Sequence, residues 1–194
     1  MNQKQQPEQV GWAQGFNLAY MLLLVHQRGI VVPMRMYCGK EFYGRPCALA
    51  FLLMSLWAAF SRDFYMWLWV GLWLFMLLVR KGQSYRAIAQ GARIHSEYDG
   101  VPAEALKYAN TERAAKLFVE PFMVGLLGLV VLLIYKAAEL PSLGLPYFLL
   151  FGVVSLPVVE LVKQIIWEKR LQGMQDARIE QEAMVRDSRA RYGE

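Results

Sequence analysis

The sequence predicts an all-α integral membrane protein made of two transmembrane helical hairpins (four spans), with an interfacial N-terminal helix, a helical cytosolic loop and a charged C-terminal helix. Three observations carry that expectation. First, two intensely apolar stretches, 46–60 and 64–79, are divided only by Ser61, Arg62 and Asp63. As one helix the pair would be about 50 Å long, well beyond a hydrocarbon core of about 30 Å, and would strand Arg62 and Asp63 at its centre. Second, another apolar pair, 117–135 and 145–162, flanks a linker holding the turn formers Pro141, Ser142 and Gly144. Third, charge is segregated: the chain is 56% hydrophobic and 19% charged, and its charges cluster before residue 46, between 80 and 116, and after 162.

The elements follow in order. Residues 1–42 read as a cytosolic N-terminus whose apolar part, 12–25, includes the run LAYMLLLV. Gln14 and Asn17 on one side and His26, Gln27 and Arg28 on the other leave it a length suited to an interfacial helix rather than a span. It makes a poor signal peptide, because Lys4 is its only early basic residue and no small-residue cleavage site follows. Crossing would raise the count to five spans and move the N-terminus outside.

Residues 43–79 form the first hairpin. Its arms are short, about 22–24 Å as helix, with Tyr65, Trp67, Trp69 and Trp73 adding aromatic bulk. Residues 80–116 make the loop, whose part after Pro102 is rich in helix formers and leads toward the third span. Residues 117–166 make the second hairpin, where Gly125, Gly128, Gly152 and Ser155 let helix backbones approach closely. The tail, 167–194, carries Arg178 and Glu182, Glu182 and Arg186, and Asp187 and Arg191 at i,i+4 spacing, together with a broken apolar seam of Leu171, Met174, Ile179, Met184 and Val185.

Orientation follows from the basic residues. Only Arg62 and Lys136 of the 21 Lys and Arg residues fall in the hairpin turns. The positive-inside rule then places both termini and segment 80–116 in the cytoplasm, most naturally at a bacterial inner membrane. The formal charge of +5 reads as orientation and attraction to anionic headgroups, with no direct nucleic-acid binding expected. Cys38 and Cys47 are too few and too placed for a metal pattern and are expected to be reduced thiols.

Chemistry is sparse. The densest polar stretch is the candidate functional loop His95, Ser96, Glu97, Tyr98 and Asp99, just before Gly100 and Pro102. Imidazole beside carboxylates could move a proton or hold a cation, and His95, Glu97 and Asp99 would share a face if the stretch were extended. A plain polar loop with an Asp-Gly turn accounts for the same residues.

Glu120 and Glu160 stand at similar depth in the antiparallel arms of the second hairpin, beside Pro121 and Pro157, and form a candidate intramembrane polar site. Lys116 and Lys163, at i−4 and i+3, would neutralise them locally. No phosphate-cradling loop, nucleophile–base pattern or Cys/His cluster occurs in the sequence, so no cofactor and no metal are expected.

The expected function is therefore that of a non-enzymatic inner-membrane subunit that anchors or assembles a larger complex, such as a secretion or conjugation machine. Its partners would be the lipid bilayer, other membrane or cytosolic subunits and perhaps copies of itself as a homo-oligomer, and Leu171, Met174, Ile179 and Met184 would bind them. A small oligomeric channel or transporter using the two carboxylates is the alternative, and a membrane enzyme using the His95 loop comes third.

Overall fold

The computed structural model describes residues 7–95 and 98–192. Its α-helices are α1 Pro7–Val31, α2 Arg45–Ser61, α3 Phe64–Ala89, α4 Glu112–Ala114, α5 Glu120–Ala137 and α6 Gly144–Tyr192. Tight 3-10 turns occupy Lys40–Tyr43 and Ala105–Tyr108, and a π-helical turn, Ala115–Val119, joins α4 to α5. The described residues contain no strand, only an isolated antiparallel bridge between Met36 and Val101. Four helical stretches are long and apolar enough to cross a membrane: Lys40–Ser61, Phe64–Ala89, Glu112–Ala137 and Gly144–Glu182. The chain divides into two compact units, Met1–Val159 and Glu160–Glu194.

The first unit departs from expectation at its start. The helix expected over 12–25 is longer: α1 runs for 25 residues and packs against α2, and Val25 to Val32 are all buried. The physical reason is that His26, Gln27 and Arg28, which look like the end of an apolar run, find partners inside the protein. The His26 ring donates from Nε2 to the Phe148 carbonyl at 3.0 Å and, in its neutral form, accepts the Ser155 hydroxyl at Nδ1 at 2.7 Å. Helix α1 ends where Pro33 removes a backbone donor. Two indoles of α3 take up carbonyls of its last turns: Trp73 donates to the Arg28 oxygen at 2.9 Å and Trp69 to that of Gly29 at 3.3 Å. Arg80 then donates to the Pro33 carbonyl at 3.0 Å.

The break between α2 and α3 falls at Arg62 and Asp63, as the sequence predicts. Arg62 adopts left-handed geometry, with φ 51°, and ends α2. Asp63 caps α3 by accepting the Tyr65 backbone N–H at 3.0 Å. The same carboxylate, only 2% exposed, also accepts the Tyr135 hydroxyl at 3.1 Å and the Leu145 N–H at 2.8 Å. Nearby, Ser142 donates to the Ser61 carbonyl at 2.7 Å and Trp57 to that of Gly144 at 2.9 Å. The two inter-helix turns thus meet at one end of the unit, drawn together by a buried acid.

Helix α3 continues ten residues past the expected end at Val79, with Tyr43 and Ser84 hydrogen-bonded at 3.0 Å. The stretch expected to be helical from Pro102 onward is helical only in pieces, and Thr111 caps the last of them by accepting the Ala114 N–H. The close approach expected of the small residues is present. A Cβ on Gly125 would lie 2.8 Å from Val153, one on Gly128 3.0 Å from Leu150, and one on Gly152 2.6 Å from Ile30 and 2.9 Å from Val124. Large apolar side chains on the outer faces, among them Leu52, Phe75, Phe122 and Leu133, remain exposed.

The second unit is the latter part of α6. Arg178 and Glu182 form the expected i,i+4 ion pair at 3.0 Å. Leu171, Met174, Ile179, Met184 and Val185 are all exposed.

Candidate functional site

The densest buried polar cluster of the first unit is built on the chain that links α1 to α2. After α1 this chain turns at 32–34, kinks again at Tyr37, whose φ is 56°, and between the two meets segment 98–101 in an antiparallel bridge. Met36 and Val101 exchange backbone hydrogen bonds of 3.0 and 2.8 Å, and the Gly39 N–H donates to Tyr98 at 2.8 Å. Gly100 makes this approach feasible. Its φ is 82°, and a Cβ there would stand 2.6 Å from the Met36 carbonyl and closer still to the Cys38 sulfur.

Three ion pairs gather at this junction. Arg35 and Glu120, both with wholly buried side chains, form a bidentate pair: Nε reaches Oε1 at 2.9 Å and an NH2 group reaches Oε2 at 2.5 Å. Arg28 donates to Asp99 at 2.7 Å while its guanidinium lies 3.8 Å from the centre of the Phe42 ring. Lys116 pairs with Glu112 at 2.5 Å, and the same carboxylate accepts the Tyr98 hydroxyl at 2.9 Å. The π-helical turn lies between Glu112 and Glu120, so one irregular stretch of helix presents Lys116 and Glu120 to the interior.

Burial and the Glu112 carboxylate push the Tyr98 phenol well above its ordinary range. Burial likewise pushes the Cys38 thiol up to about 11, with Tyr43, Arg35 and Arg28 opposing. Below that pH Cys38 is a protonated thiol rather than a nucleophile. Both Cys38 and Cys47 are free and buried.

The predicted site residues are distributed as follows. Of the loop, His95 is exposed, whereas Tyr98 and Asp99 turn inward to Glu112 and Arg28; Ser96 and Glu97 lie outside the described residues. Glu120 is not neutralised by Lys116, its neighbour at i−4. It is held by Arg35, 85 positions away, and Lys116 serves Glu112 instead. Glu160 opens the second unit, and the seam residues Leu171, Met174, Ile179 and Met184 follow in it. Among the described residues no three of His, Cys, Asp and Glu gather as metal ligands.

Sequence reading missed Arg28 and Arg35. The available signal was position: a lone Arg35 in VVPMRMYC, and an Arg28 closing an apolar helix, are cations in surroundings that demand a carboxylate.

The junction depends on Gly100. Gly100→Ala is expected to cost about 1–3 kcal/mol through its left-handed φ, and more where Cβ meets Cys38. Alkylation of native protein followed by peptide mass mapping should find Cys38 modified in the variant and shielded in the parent; equal shielding would show that the strands stay docked.

No protein-family model, curated protein or solved structure is similar to this chain.

Proposed function

We propose that this chain is an integral membrane subunit, of the bacterial inner-membrane kind, that performs no reaction of its own and anchors or assembles a larger complex, with a secretion or conjugation machine as the working example. The observation that carries the reading is the exposed apolar seam of the second unit. Leu171, Met174, Ile179 and Met184 sit on a charged helix with their side chains exposed. The apolar outer faces of α2, α3 and α5 support insertion, and the basic residues flanking them favour a cytoplasmic side for segment 80–116 and the tail.

The test is gentle extraction from native membranes. The intact chain should emerge with stoichiometric partners, identified by mass spectrometry, and Leu171→Asp with Met174→Asp should release them while leaving the thermal transition of the chain unchanged. A partner-free chain, or partners indifferent to the double variant, would overturn the reading.

The channel or transporter alternative needs a carboxylate able to bind and release a cation or proton. Glu120 has both oxygens engaged by Arg35, which weighs against it. Cation flux in proteoliposomes that disappears in the Glu120→Gln, Glu160→Gln chain would restore it.

A further inference from the structure

We infer that α1 is itself a transmembrane helix, the fifth, running against α2 and carrying the amino terminus to the membrane face opposite segment 80–116. The inference rests on membrane insertion of the bundle and replaces the expectation that both termini lie on one side.

The depth of α1 can be read from its partners. Pro33 is held by Arg80, near the basic end of α3, and Arg35 and Met36 meet Glu120 and Val101 at the same end. Going back along α1, Arg28 and Gly29 reach Trp73 and Trp69, the latter only five residues, or about 8 Å, from the start of α3 at Phe64. His26 reaches the Phe148 carbonyl, four residues, or about 6 Å, from the start of α6 at Gly144. Gly29 fits against Met54, at the middle of α2. By His26, then, α1 has already climbed most of the way to the level at which Asp63 and Ser142 join the two turns.

Nineteen residues of helix still separate His26 from Pro7, about 28 Å of rise. Continued in the direction that Val25 to Val32 take along α2, that length runs up to and past the turns. That rise is more than the distance left to the level of the turns, so the amino terminus emerges beyond them. What disguised it is the triplet His26, Gln27 and Arg28, which lowers the apparent apolarity of the segment but is buried in protein, where polar side chains are tolerated. The large side chains that α1 exposes over residues 18–22 are apolar: Leu18, Met21 and Leu22.

Single cysteines probed with a membrane-impermeant maleimide in bacterial spheroplasts test this on the full chain. The native thiols are buried, so the parent protein is the blank. Glu8→Cys reports the start of α1, Ala138→Cys the exposed second turn, and Ala92→Cys the exposed segment after α3. Glu8→Cys and Ala138→Cys should react in intact spheroplasts, and Ala92→Cys only after permeabilisation. If Glu8→Cys instead follows Ala92→Cys while Ala138→Cys still reacts from outside, α1 does not cross and the inference fails, with the bilayer arrangement of the other helices intact. If all three behave alike, insertion itself fails and takes the inference with it. Full reaction of each variant after denaturation in detergent establishes that an unreactive site is shielded.

Discussion

Alanine in place of Arg35 is expected to destabilise the protein by about 3–5 kcal/mol, because it leaves Glu120 as an unpaired carboxylate with no exposed surface. In practice the variant should lose its sharp elution peak in mild detergent and unfold far below the parent on heating. Glu120→Met alone should be comparably damaging, since it removes the bidentate partner of the buried guanidinium. The combination Arg35→Met, Glu120→Met should recover most of the loss, because two apolar side chains of similar bulk carry no desolvation debt. A double variant as unstable as either single one would show that the pair fixes the junction of 36–39 with 98–101 through its hydrogen bonds and not merely by mutual neutralisation.

Removal of the Asp63 carboxylate should be nearly as severe. Asp63→Ala deprives the Tyr65 and Leu145 N–H groups and the Tyr135 hydroxyl of one shared acceptor. A lost helix cap costs about 1 kcal/mol and each stranded buried donor about 1–3 kcal/mol, so a total of about 3 kcal/mol is expected after partial relaxation. Tyr135→Phe, which removes one donor without stranding another, should cost about 1 kcal/mol. Thermal unfolding in a single detergent ranks the two. Equal small losses would mean that Ser142 and Trp57 suffice to hold the turns together.

Much of the helical framework was legible because it is written in local terms. The three polar residues at 61–63 end one apolar run and begin another, and the Pro141, Ser142 and Gly144 turn does the same for the second pair. Gly125, Gly128 and Gly152 were readable as places of close approach, and the structure gives each a neighbour.

The buried junction was not legible, because its pairs are joined by tertiary contact over 71 and 85 positions, and sequence spacing ranks only neighbours on one helix. Lys116 illustrates the limit: the nearest carboxylates at i−4 and i+4 are equivalent by spacing, and the fold selects Glu112. The full length of α1 escaped the sequence in a related way. Hydropathy scores His26, Gln27 and Arg28 as though each met water or lipid, whereas all three are enclosed by protein.

The indoles at the end of α1 also bear on how the chain is made. A ribosome delivers α1 some forty residues before Trp69 and Trp73, the side chains that receive the Gly29 and Arg28 carbonyls. Pro33 supplies no substitute donor, and Arg80, which takes up the carbonyl of Pro33 itself, arrives later still. During synthesis, then, these two carbonyls are without their indole donors until α3 emerges. The final seating of the end of α1 therefore waits for α3, although α1 precedes α3 in the chain.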